Sequence, residues 1–365
     1  MIRILVIIVA MLTVPVASYA KGADLILKSA NTNLNTMING DIITVLEGNV
    51  VFLYEDATIR SDYARWYKSR GTVSFANHVV VTQLKKTLKC NQLDYDKNKK
   101  WLNARGNVEF YDAGQRAKIT GTQSDYYTDT RKVTVTGKPV LVYYDTTAHD
   151  TLIIRGERMT YDDTLKIATV ERNVTIHKGQ LYSQCQEARY YPDKNLALLR
   201  YSPKIQYGGD SLSGDSVDLL LTKKSMRGMS VAGKSQGRYR EITKKDTMMT
   251  HLYGDSMYMA MNDSGHVDSM FVYRNVKSEY FSISNPLQTN EAYGKLMTVA
   301  FNAHGDVENV KISGNARSIY HVAENKSTGC NTASGDSVFV AFKSGKASRV
   351  RLSGNVRGTY APDKR

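Results

Sequence analysis

The sequence predicts an all-β chain built from serial strand repeats. Short runs rich in Val, Thr, Ile and Tyr alternate apolar with polar residues and are separated by Gly, Asn, Asp and Lys, the pattern of half-buried strands and turns. No stretch after the N-terminus spaces its apolar residues as a helix would. A pattern of apolar, any, small, polar, any, apolar, any, apolar recurs nine times, first as Ile59-Arg60-Ser61-Asp62-Tyr63-Ala64-Arg65-Trp66. Recurrence at this level defines a repeat protein.

The small position is filled in turn by Ser61, Cys90, Gly121, Gly156, Cys185, Gly214, Gly254, Gly294 and Gly335. The intervals are 29, 31, 35, 29, 29, 40, 40 and 41 residues. Three residues further on stand Ala64, Leu93, Ser124, Met159, Ala188, Val217, Met257, Met297 and Val338. An odd step between apolar positions reverses the face of a strand unless the chain bends or bulges there. The small residue, often followed by Asp or Asn (Asp62, Asn91, Asp215, Asp255, Asp336), is therefore expected at a corner. Corners repeated along the chain stack into an edge where two walls meet, apolar inside and polar outside. Each unit is read as three pieces: an opening strand such as Asn49–Tyr54, the small-residue strand, and a closing strand such as Val133–Gly137.

The N-terminus is a separate matter. Arg3 precedes an apolar run from Ile4 to Val16, and Ser18-Tyr19-Ala20 offers small residues at a cleavage site, so residues 1–20 read as a secretory signal. A buried N-terminal helix is the alternative. The expected domains are the signal, 1–20; short repeats, 21–201; and longer repeats of about 40 residues, 202–365. The remaining 345 residues (365 less 20) exceed what one globular core holds comfortably, a limit that a repeat array escapes. With six prolines in the whole chain, no rigid linker marks a boundary. The final strand, Asn355–Tyr360, opens a tenth unit and leaves an expected open edge.

The net charge of +14 favours anionic partners: nucleic acid, an acidic polymer or phosphorylated lipid. Export sets nucleic acid aside. The plainer reading is that Lys and Arg keep strand-rich surfaces soluble. Cys90 and Cys185 share the same slot three repeats apart, too far for a disulfide, and read as small buried residues.

No catalytic constellation is present, so no catalytic residue, metal ligand or cofactor is expected. The seven histidines do not fall at metal-ligand spacing, and no nucleophile elbow or phosphate loop occurs. Gly-Asp-Ser recurs at 214–216, 254–256 and 335–337, always at the corner, which points to structure and away from a nucleophile. The 24 tyrosines suit a half-wet wall better than a sugar platform.

Gly40-Asp41-Ile42-Ile43-Thr44-Val45-Leu46-Glu47-Gly48-Asn49-Val50-Val51-Phe52 leads into Ala57-Thr58-Ile59-Arg60-Ser61-Asp62-Tyr63-Ala64, and Gly-Asn-Val returns at 106–108 and 354–356. On these motifs the chain resembles the OstA/LptA family of periplasmic lipopolysaccharide-transport proteins, most clearly over residues 24–200. The resemblance implies an elongated open β-jellyroll, a V-shaped trough that shields the acyl chains of lipid A. It implies a periplasmic, non-enzymatic protein that bridges inner and outer membranes by end-to-end strand pairing. Its partners would be lipopolysaccharide, other jellyroll proteins of the transport system and further copies of itself. On that basis the groove candidates are Val50, Phe52, Ile59, Trp66, Leu88, Ile119 and Tyr126. A ligand-free structural or adhesive β-solenoid, and a polysaccharide-degrading β-helix enzyme, are the alternatives. A filled interior would favour the solenoid and a lined groove the carrier.

Overall fold

The computed structural model describes residues 25–145, 150–221, 226–242, 246–262, 267–303, 306–324, 327–343 and 346–362. The expected signal lies outside them. Among the described residues the regular structure is 26 strands and one 3-10 turn, Pro192–Lys194. The fold is all-β, of the open jellyroll type, and grows by adding one antiparallel strand after another. No helix of the described residues is long and apolar enough to cross a membrane.

Closing and opening pieces of successive repeats turn out to be halves of one bent strand. Asp41–Tyr54 pairs with Ala57–Tyr67 so that Val50 faces Ser61 and Glu47 faces Tyr63, leaving Gly48 and Asn49 together opposite Asp62. That two-against-one bulge bends the strand. Both bulged residues are left-handed, with φ of +70° at Gly48 and +49° at Asn49. The same device recurs at Asn77/His78, Gly106/Asn107, Gly137/Lys138, Arg172/Asn173, Tyr201/Ser202, Gly233/Lys234, Arg274/Asn275, Gly314/Asn315 and Gly354/Asn355. Gly and Asn enter this region most easily. Arg172, Tyr201 and Arg274 take it at a cost of about 1–2 kcal/mol each, offset by the pairing on either side.

The bend therefore lies opposite the small slot. The slot is small because it packs beneath the bend of the following strand. A Cβ on Gly121 would stand 2.5 Å from Val135 Cγ1, and one on Gly294 would stand 2.5 Å from Ile312 Cγ2. The polar residue after the slot ties the bend down. The amide of Asp215 donates to the carbonyls of Ala232 and Gly233, both at 2.9 Å. Asn275 Nδ2 donates to Asp255 Oδ1 at 2.9 Å, and Asn173 Nδ2 to Glu157 Oε1 at 2.7 Å. Asp and Glu at this position thus pair with backbone and side-chain groups that a bulge leaves unpaired.

The chain divides into two compact units. One runs to Gly179 and includes Gln186–Asn195; the other comprises Gln180–Cys185 and the chain from Leu196 onward. Within each, the bends divide the long strands between two walls that share one apolar face. Ile59, Ser61 and Ala64 all lie buried, so the odd step in the sequence is absorbed by the bulge opposite. Cys90 and Cys185 are free and buried, and burial pushes the Cys90 thiol up to about 12, leaving it unreactive near neutrality.

Candidate functional site

In the first unit the seven groove candidates share one interior. Phe52, Ile59, Leu88 and Ile119 belong to a single transverse row, Phe52–Ile59–Val81–Leu88–Phe110–Ile119–Leu141–Ile154–Ile176, paired strand to strand. Val50 stands in the row beside it, at the bend. Trp66 and Tyr126 lie on the facing wall, in the row Trp66–Val73–Tyr95–Leu102–Tyr126–Val133–Tyr161.

These walls are packed together. The Phe52 ring meets Trp66 edge-on at 5.5 Å and Phe75 at 5.2 Å, spacings at which aromatic quadrupoles attract. Val50, Phe52 and Ile119 are 0% exposed; Ile59, Leu88 and Tyr126 are also buried, and Trp66 is half-buried. Here the interior is a filled core.

Charges close its margin. Asp163 is buried; Lys166 Nζ stands 2.5 Å from its Oδ1, Tyr161 OH donates to the same oxygen at 3.1 Å, and Arg131 pairs with its other oxygen. Burial pushes the Asp163 carboxyl up, but Lys166, Tyr161 and Arg131 outweigh it and hold it below its ordinary value. Lys86 faces the buried Asp112 across one strand pair, and burial lowers its ammonium.

The second unit differs. One wall presents Leu219–Met229–Met259–Met270–Val299–Val310–Val340–Val350. The facing wall presents Leu212–Gly237–Leu252–Ser278–Ala292–Ser318–Ala333–Gly358, a floor of mostly small residues. Met257 bridges the two near the bend: its sulfur comes within 3.9 Å of where a Cβ on Gly237 would stand. Further out, Leu252, Met259, Met270, Ala292 and Ala333 are only partly buried. Leu219, Met229 and Val299 of the same row are buried, so this interior is packed in part and less completely buried than that of the first unit.

The outer face of the same wall is polar, which settles the alternation. Lys277 Nζ lies 2.6 Å from Glu279 Oε1 and 3.3 Å from Glu291 Oε1, His251 Nδ1 lies 3.4 Å from Glu279 Oε2, and Tyr293 OH donates to Glu291 at 2.9 Å. Burial pushes the Glu279 carboxyl up, but Lys277, His251 and Tyr253 hold it below its ordinary value. No residue of the two inner rows carries a charge. Among the described residues no group of three or more His, Cys, Asp or Glu could hold a metal.

Sequence reasoning named candidates only in the earlier repeats and singled out none in the later ones. Methionine at 257, 259 and 297, in the slots three and five after the small residue, was the available signal. Flexible thioethers fill irregular apolar space and accommodate varied apolar partners.

Serial bent antiparallel strands around an apolar interior define an open jellyroll. The sequence over residues 29–225 matches the family described as LptA/(LptD N-terminal domain) LPS transport protein, and the chain belongs to that family. Among solved structures it is similar to LptH from Pseudomonas aeruginosa, titled the LptA homologous periplasmic component of the conserved lipopolysaccharide transport device. That similarity is 13% in identity and covers 39% of this chain and 79% of LptH, with a TM-score of 0.20, too low to bear on the assignment. No curated protein matches the sequence.

Proposed function

We propose that this chain is a periplasmic carrier of lipopolysaccharide that shelters lipid A acyl chains between its two walls. The observation that carries the reading is the uncharged, partly exposed interior of the second unit, Met and Val on one wall and small residues on the other. Each CH₂ moved from water into such a lining contributes about 0.8 kcal/mol. Small residues leave room for a chain, and methionines adapt to it. The net charge of +14 suits a phosphorylated headgroup left outside.

In the first unit, Val50, Phe52, Ile59, Trp66, Leu88, Ile119 and Tyr126 are proposed to line an interior that opens to acyl chains only when its walls part. The bridging role rests on the end strands. Among the described residues, Thr32–Ile38 and Arg357–Pro362 each pair on one side, with Asp41–Tyr54 and Ser327–Lys343, respectively. Such edges accept an added strand from another jellyroll or another copy.

The filled first unit is what a ligand-free structural solenoid requires, so that reading is kept for test. Mass spectrometry of lipid released from protein gently extracted from the periplasm separates the two. Lipid A-type ions near one per chain are expected. Protein that carries only traces of bulk phospholipid would favour the solenoid.

A further inference from the structure

Beyond the small-residue floor of the second unit, the inner face of the same wall ends in a row of tyrosines. Tyr239, Tyr280, Tyr320 and Tyr360 stand on alternate strands, each exposed by 38% to 56%. The register interleaves them with Thr250, between Tyr239 and Tyr280, and with Asn331, between Tyr320 and Tyr360. Asn290 pairs with Tyr280 in the same row.

Neighbouring strands lie about 4.8 Å apart, so the tyrosines recur about every 10 Å, longer than one pyranose ring. The ring of Tyr360 lies along the inner face, its Cε2 2.8 Å from where a Cβ on Gly329 would stand. The row thus presents partly exposed aromatic surface on the inner face of that wall.

An exposed aromatic row would be costly on a surface facing only water, yet here it recurs in four successive repeats. Alternation with amides and a hydroxyl narrows what it fits. A second acyl chain would gain nothing from Asn and Thr. A pyranose has an apolar C–H face to stack on a ring and hydroxyls at its edge to pair with Asn and Thr, which both donate and accept.

We propose that this row is a sugar-binding strip that holds the carbohydrate portion of a glycolipid whose acyl chains lie on the adjacent floor. The placement of those chains rests on the carrier reading above; the strip itself rests on the tyrosine row. It adds recognition of the headgroup to a groove that otherwise reads only length and apolarity.

The full chain is tested with three probes: lipopolysaccharide bearing its core oligosaccharide, lipid A alone, and de-acylated core oligosaccharide. The wild type is compared with the double variant Tyr280→Ala/Tyr320→Ala, whose fold is checked by far-UV circular dichroism and sedimentation. Stacking on two rings predicts roughly tenfold tighter binding of oligosaccharide-bearing lipid than of lipid A. The double variant should bring the first to the level of the second and leave lipid A affinity unchanged.

Equal affinity of the wild type for both lipids overturns the strip. An equal loss for both in the double variant also overturns it, by placing the tyrosines among acyl contacts. A change in oligomeric state in the double variant, without the sugar-dependent loss, would make the row an interface between copies and overturn it. If the wild type binds neither lipid, the carrier reading fails. The strip then stands if de-acylated oligosaccharide shifts the tyrosine ring resonances in the wild type and not in the variant, and falls if it does not.

Discussion

A Cβ at Gly121 would stand 2.5 Å from Val135 Cγ1 and 2.8 Å from the Thr136 carbonyl, so bulk at the slot must displace the neighbouring bend. Gly121→Leu should lower stability by about 2–3 kcal/mol, read as an earlier midpoint in urea. An unchanged midpoint would show that the bend yields freely. Gly233 is constrained differently: its φ is +74°, and a Cβ there would press on the Asp215 carboxylate. Gly233→Ala should cost about 1–2 kcal/mol in the same assay. The slot was legible in the sequence because smallness recurs in one column. The left-handed pair that makes the bend was not, because its letters vary from Gly48-Asn49 to Tyr201-Ser202 and only the backbone is shared.

At the scale of the element, strand alternation foretold two faces but not which was inner. That depends on what stands across the walls: Phe52 against Trp66 in one unit, Met257 over Gly237 in the other. Side-chain volumes summed across two walls decide whether an interior is filled, and the repeat pattern does not fix the pairing of those walls. The margin of the first unit offers an electrostatic test. The native pKa of Asp163 lies below its unfolded value, so its contribution is fully present above the ordinary aspartate range near 4. It is lost as pH falls through the native value. Asp163→Asn should therefore cost about 1–3 kcal/mol at pH 7 and flatten the acid side of the stability profile. Parallel acid limbs for wild type and variant would contradict the assigned role.

At the scale of the whole molecule, the family match ends at residue 225, while the methionine-bearing, partly exposed inner rows lie mostly beyond it. The opening-strand motifs that carried the resemblance are densest where the interior is packed. Family membership was thus readable from the early repeats, and the partly exposed inner rows of the later ones were not. Longer repeats with small inner residues in the later part were visible as a change of interval from 29 to 40 residues. Their meaning emerges only when Ala292 and Met270 are seen to remain partly exposed on inner faces.

The most direct test places a photo-crosslinking residue at single positions and irradiates the protein in cells that make lipopolysaccharide. Ala292 points into the second unit's interior and Tyr293 to its outer face, one residue apart. Crosslinks to lipopolysaccharide are expected at Ala292 and Met259, absent at Tyr293, and weaker at Phe52 and Ile119, whose walls must first part. Equal labelling at Ala292 and Tyr293, or none at either while the protein remains folded, would contradict a carrier that holds its cargo between the walls.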